Sequence, residues 1–142
     1  ISFTVYSTTF PLTKELFNPS IFAQGTFDEE TRTLVTGQWG FGGWWYNKGV
    51  DLSKYKYLIA ELGNDNNSSV SFRLFDENNY WSQPATYDFG NSRKVVVELG
   101  NMYKKINGVQ VKLNPAQIYI IGFWSSGGSP IIIKGVYLSD SL

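Results

Sequence analysis

The sequence predicts an all-β domain, an antiparallel β-sandwich of jelly-roll type, and three observations predict it. Apolar residues alternate with polar ones in several short runs, the period-2 signature of half-buried strands. Clusters of Gly, Asn, Asp, Ser and Pro separate those runs at short intervals. No helical stripe of ten or more residues competes with them.

Taken along the chain, the first candidate elements are slight. "TKEL" near Thr13 suits a short helix and no more. "YKYLIAELG" places Leu58, Ala60 and Leu62 on one face of a strand, with Tyr57, Ile59 and Glu61 opposite. In "SVSFRLF", Val70, Phe72 and Leu74 share a face and Ser71, Arg73 and Phe75 share the other. "KVVVELG" sets Val95, Val97 and Leu99 against Lys94, Val96 and Glu98. "NPAQ" at Asn114 has Asn and Pro in the order of a helix cap and first helical residue. "QIYIIGFW" and "PIIIKGVYL" are nearly continuous apolar runs, so they read as strands without an assigned inward face. The intervening "GNDNNSS", "DFGNS", "KING" and "SSGGSP" supply the turns.

A chain of 142 residues makes one domain with one core, residues 1–142 forming a single module. Twelve basic residues balance twelve acidic ones, and no run of like charge occurs, which gives a nucleic acid or an anionic membrane no electrostatic footing. Cysteine and histidine are both absent. Their absence removes disulfides, thiol nucleophiles, His-based triads and imidazole zinc sites together. No segment reaches the roughly 18 consecutive apolar residues of a membrane helix. The opening "ISFTVYSTTFPLT" lacks an initiator Met, a basic leader and an apolar stretch behind it, and reads as a module cut from a longer polypeptide, so that any export signal would lie outside these residues.

Aromatic residues are the informative excess, with five Trp, nine Tyr and ten Phe. "WGFGGWWY", Trp39 to Tyr46, holds five of them among three glycines. Neighbours on a strand point to opposite faces, so Trp44 and Trp45 cannot both be core, and at least one faces outward. "FDENNYWSQ" gathers Asn79, Trp81 and Gln83 just beyond the Arg73 strand, and "GFWSSGGS" sets Trp124 beside a Gly/Ser loop. Aromatic planes next to amides and a guanidinium match a sugar, which offers an apolar C–H face rimmed by hydroxyls. The candidate carbohydrate-binding residues are therefore Trp39, Trp44, Trp45, Arg73, Asn79, Trp81, Gln83 and Trp124, with Gln38 as a further amide. No residue is singled out as catalytic.

Three blocks, "FNPSIFAQGTFDEETRTLVTGQWGFGGWWYNKGVDLSKYKYLIAEL", "SFRLFDENNYWSQPATYDFG" and "IYIIGFWSSGGSPIIIKGVYL", resemble the non-catalytic carbohydrate-binding modules appended to plant-polysaccharide hydrolases of gut and rumen bacteria. The resemblance spans about Phe17 to Leu138 and implies a galactose-binding-like β-sandwich. It implies a secreted or cell-surface protein that binds β-linked glucans, mannans or xylans and holds an attached glycoside hydrolase near them, without choosing among those polysaccharides. Sandwiches of this kind often carry a structural calcium, for which Asp28, Glu29, Glu30 and Asp140 are the available carboxylates, although their spacing fits no defined calcium loop. Sugar binding itself requires no cofactor. A xylan-binding module, a small glycoside hydrolase working with two carboxylates, and a protein-binding adhesion domain are the alternatives.

Overall fold

The computed structural model describes residues 7–9, 12–13, 16–17, 25–37, 40–76, 84–126 and 130–141. Twelve strands account for most of them: β1 (Ser7–Thr9), β2 (Thr26–Asp28), β3 (Thr33–Val35), β4 (Phe41–Val50), β5 (Tyr57–Leu62), β6 (Asn67–Phe75), β7 (Ala85–Gly90), β8 (Lys94–Glu98), β9 (Tyr103–Ile106), β10 (Val109–Lys112), β11 (Ile118–Ser125) and β12 (Ile131–Ser139). One larger sheet runs β2-β3-β12-β5-β8, with β1 also on β12; the other runs β4-β11-β6-β7; β9 and β10 form a separate hairpin. Every pairing is antiparallel. The two larger sheets enclose one apolar core, so the chain is an all-β sandwich.

Alternation decides which side chains fill that core. From one sheet come Leu58, Ala60 and Leu62 of β5 and Val95 and Val97 of β8; from the other come Val70, Phe72 and Leu74 of β6. These are the faces the sequence assigns. Strands β11 and β12 depart from strict alternation for a physical reason. β11 changes register between Ile118 and Ile120, and β12 between Ile133 and Gly135. Each irregularity lets inward residues fall three apart, so Ile118, Ile121 and Phe123 are all core, as are Ile131, Ile133, Val136 and Leu138.

The helix expected at "NPAQ" does not form, and among the described residues near Thr13 no helix occurs. At "NPAQ" the Asn114 side-chain oxygen accepts the Ala116 N–H at 2.9 Å and its carbonyl accepts the Gln117 N–H at 3.2 Å, which closes a single turn. Near Thr13, the Leu16 and Phe17 N–H groups bond the Thr13 carbonyl and the chain continues as a bridge to Trp44, while Lys14 and Glu15 lie outside the described residues. A 3-10 turn at Leu99–Asn101 follows β8 and buries Leu99.

The β9–β10 hairpin turns at Asn107 and Gly108, with φ of 51° and 81°. Positive φ at both central residues suits the twist of a two-residue hairpin, and Asn-Gly is the pair that tolerates it best. A buried ion pair docks the hairpin onto the sandwich, Lys104 Nζ reaching Asp76 Oδ1 at 2.9 Å. The other Asp76 oxygen accepts the Asn114 N–H at 3.1 Å, and the Leu113 N–H bonds the Met102 carbonyl at 2.8 Å.

Candidate functional site

The register of β4, β11, β6 and β7 fixes what their outer face displays. Residues directly paired across antiparallel strands point to the same side. Three outward rows result: Phe41–Trp124–Ser71–Asp88, then Gly43–Gly122–Arg73–Thr86, then Trp45–Ile120–Phe75. Of the sequence candidates, Trp45, Arg73 and Trp124 thus come together on one face, on three adjacent strands.

That face carries its own apolar layer. Phe41, Phe75 and Ile120 are buried, and the partly exposed rings of Trp45, Tyr119 and Trp124 pack against them. The two glycines of the middle row make this possible. A Cβ on Gly43 would stand 2.7 Å from Phe41 Cε1, and one on Gly122 would collide with Phe41 Cζ. The Phe41 ring therefore lies over both glycines and meets Phe75 edge-on, with centroids 5.6 Å apart and planes at 86°. In "WGFGGWWY" glycine makes room for a ring to lie along the sheet, and that layer supports the two tryptophans.

Trp44 is a correction to the candidate set. Its side chain is wholly buried in the main core, edge-on to Phe17, Phe27 and Phe123 at centroid distances of 5.7, 5.0 and 6.3 Å. Alternation sends Trp45 to the opposite side, so Trp45 alone of the adjacent pair can meet a ligand. The indole N–H of Trp45 is buried and has no hydrogen-bond partner among the described residues.

Arg73 points out, as the parity of β6 requires, and is held on two sides. Its Nε donates to Ser71 Oγ at 3.0 Å, and its guanidinium carbon lies 5.0 Å from the Trp124 ring centroid. Partial burial pulls its pKa down, and Asp88 opposes that pull. An arginine so placed keeps its charge at neutral pH.

Beyond Arg73, a cleft of about 420 Å³ opens between β7 and the docked hairpin. Arg73, Thr86, Tyr103, Lys104, Lys105 and Gln110 line it. Sequence reasoning missed this wall. Parity on β6 could have supplied Ser71; Tyr103, Lys105 and Gln110 reach the cleft only through the tertiary docking of their hairpin.

Trp39, Asn79, Trp81 and Gln83, with Gln38, lie outside the described residues. The carboxylates considered for calcium do not converge. Asp28 Oδ1 accepts the N–H groups of Glu30 and Thr31 at 3.0 and 3.2 Å, closing the β2–β3 turn. Asp140 follows the far end of β12, whose first residue Ile131 pairs with Leu34 next to that turn; the eight residue steps from Ile131 to Ser139 put the two ends about 26 Å apart. Among the described residues no group of three or more His, Cys, Asp or Glu side chains is placed to hold a metal ion.

No protein-family model matches the chain, and no curated protein matches its sequence at a significant level.

Proposed function

We propose that the outer face of the four-stranded sheet binds β-1,4-linked plant cell-wall polysaccharide, a β-glucan, xyloglucan or glucomannan/mannan chain, without catalysis, and that in its parent polypeptide the module holds a glycoside hydrolase near that substrate. The observation that carries this reading is the Trp124 ring with the Arg73 guanidinium over it, on the same face as Trp45. Covering one face of a partly exposed indole removes some 60 to 80 Å² of apolar surface from water, worth roughly 1.5 to 2 kcal/mol. Two such faces and a few hydrogen bonds, less the cost of ordering the chain, give a Kd of order 10⁻³ to 10⁻⁵ M, which suits targeting. The non-catalytic part of the reading draws support from Asp76, whose two oxygens are committed to Lys104 and to the Asn114 amide.

Affinity electrophoresis tests it. Gels containing hydroxyethyl cellulose, mixed-linkage β-glucan, xyloglucan, glucomannan, galactomannan or arabinoxylan are run with the native protein and with Trp124→Ala. Retardation that Trp124→Ala abolishes while keeping its circular dichroism spectrum is the expected result, and the gel names the backbone. No retardation in any gel overturns the proposal, and sustained release of reducing ends at high protein loading overturns its non-catalytic part.

A further inference from the structure

We propose that the cleft between Arg73 and the β9–β10 hairpin is a subsite for a carboxylate-bearing sugar, a uronic acid unit carried by the bound chain. This rests on the outer face being the saccharide site, because Arg73 borders both.

The first ground is the sign of the lining. Three cations, Arg73, Lys104 and Lys105, contribute to the cleft, and among the described residues no carboxylate does. Asp76 neutralises Lys104 from behind, which leaves Lys105, and Arg73 with only the longer-range field of Asp88, to meet an anion. Asp88, the carboxylate that acts on Arg73, pairs across the strands with Ser71 one row away.

The second ground is how Arg73 is held. Ser71 fixes Nε and the Trp124 ring fixes the plane, while no hydrogen bond to either terminal nitrogen occurs among the described residues. A guanidinium that has lost part of its hydration and keeps two N–H faces unmatched gains most from a partner that is both anionic and planar. A carboxylate meets that fork with two parallel charge-assisted bonds, which neutral hydroxyls do not match in strength.

The third ground is rigidity. Burying an ion pair contributes little net stability when both partners must be desolvated, so its use is better sought in positioning. Here Lys104, 3% exposed, pins the hairpin, and the neighbouring Tyr103, 44% exposed, stands as a fixed aromatic wall. A pyranose ring against Tyr103 would place its carboxylate between Arg73 and Lys105, with Gln110 and Thr86 available to hydroxyls.

The test uses two polymer pairs that differ in charge: carboxymethyl cellulose against hydroxyethyl cellulose, and glucuronoxylan against the same xylan after carboxyl reduction. Affinity electrophoresis of the native protein should show the acidic member of at least one pair bound about tenfold more tightly at low salt. That advantage should shrink as ionic strength rises from about 0.02 to about 0.5 M, and Lys105→Gln should shrink it too. Equal binding within each pair, with neutral polymers still retained, overturns the uronate subsite and leaves the saccharide reading standing. Retention of none of the polymers overturns both.

Discussion

Arg73 and Trp124 sit on neighbouring strands in different cross-strand rows, yet the guanidinium carbon lies 5.0 Å from the ring centroid. The side chain leans one row along the sheet to do this, and Ser71 in the row it leans toward accepts the hydrogen bond from its Nε–H. Arg73→Lys keeps the charge but loses the plane and the fork. We predict a loss of about tenfold in polysaccharide affinity by calorimetry, with the melting temperature nearly unchanged. An affinity within twofold of the native protein would show that the planar fork plays no part in binding.

The Phe41 ring over Gly122 gives a stability prediction on the same face. A methyl group at residue 122 would collide with Phe41 Cζ and lie 2.6 Å from the Gly42 carbonyl oxygen. One of these contacts is backbone, so the strain cannot relax through a rotamer change alone. Gly122→Ala should cost about 3 kcal/mol in urea unfolding, near the upper end of ordinary overpacking, and Gly100→Ala, with nothing within 4 Å, should cost far less. Equal effects at the two positions would contradict the packing described.

The Lys104–Asp76 pair predicts an order between two variants. Asp76→Ala strands a buried ammonium and removes the partner of the Asn114 N–H, so it should cost about 3 to 5 kcal/mol. Lys104→Met fills the same space without charge and leaves Asp76 its amide partner and some solvent, so it should cost less. Hydrogen exchange of the Tyr103–Lys112 amides should accelerate in both. Equal or reversed losses would mean that the ammonium is not the member that depends on the pair.

Much of this was legible in the chain. β5 and β8 keep one parity from end to end, and β6 does so from Val70 to Phe75 after a register shift between Asn67 and Ser71, so their inward faces there follow from alternation, and so does the outward direction of Arg73. β11 and β12 each break register once, and a break inside a nearly continuous apolar run leaves no trace in hydrophobicity. The Trp44–Trp45 choice was undecidable for another reason. β4 carries aromatic residues on both faces, since Phe41 and Trp45 look outward while Trp44 and Tyr46 look inward, so alternation separates the pair without saying which is core. The cleft depends on a contact between residues 28 apart in sequence, which no local pattern announces.

Tyr46 should contribute to the loss of stability at alkaline pH. Burial pushes its phenol pKa well above the ordinary value of 10. A raised folded-state pKa means that the contribution is intact below pH 10, where both states are protonated, and is lost as pH climbs above it and the unfolded chain alone releases the proton. Unfolding followed by circular dichroism should therefore show stability falling from about pH 10 upward. Tyr46→Phe should raise the alkaline midpoint, and a midpoint unmoved by that change would assign the base sensitivity to other groups.

The pairing of β1 with β12 sets Ser7 directly across from Ser139, at the end of both strands where the described chain begins and closes. Tension drawn through those two ends would act along the inter-strand hydrogen bonds rather than across them, because antiparallel bonds lie perpendicular to the strands. The load would fall first on the Ser7–Ser139 pair, then on Thr8–Leu138, then on Thr9–Tyr137, so the domain opens like a zipper under small force. Under such a load the first strand would come away before the outer face that carries Trp45 and Trp124 is disturbed.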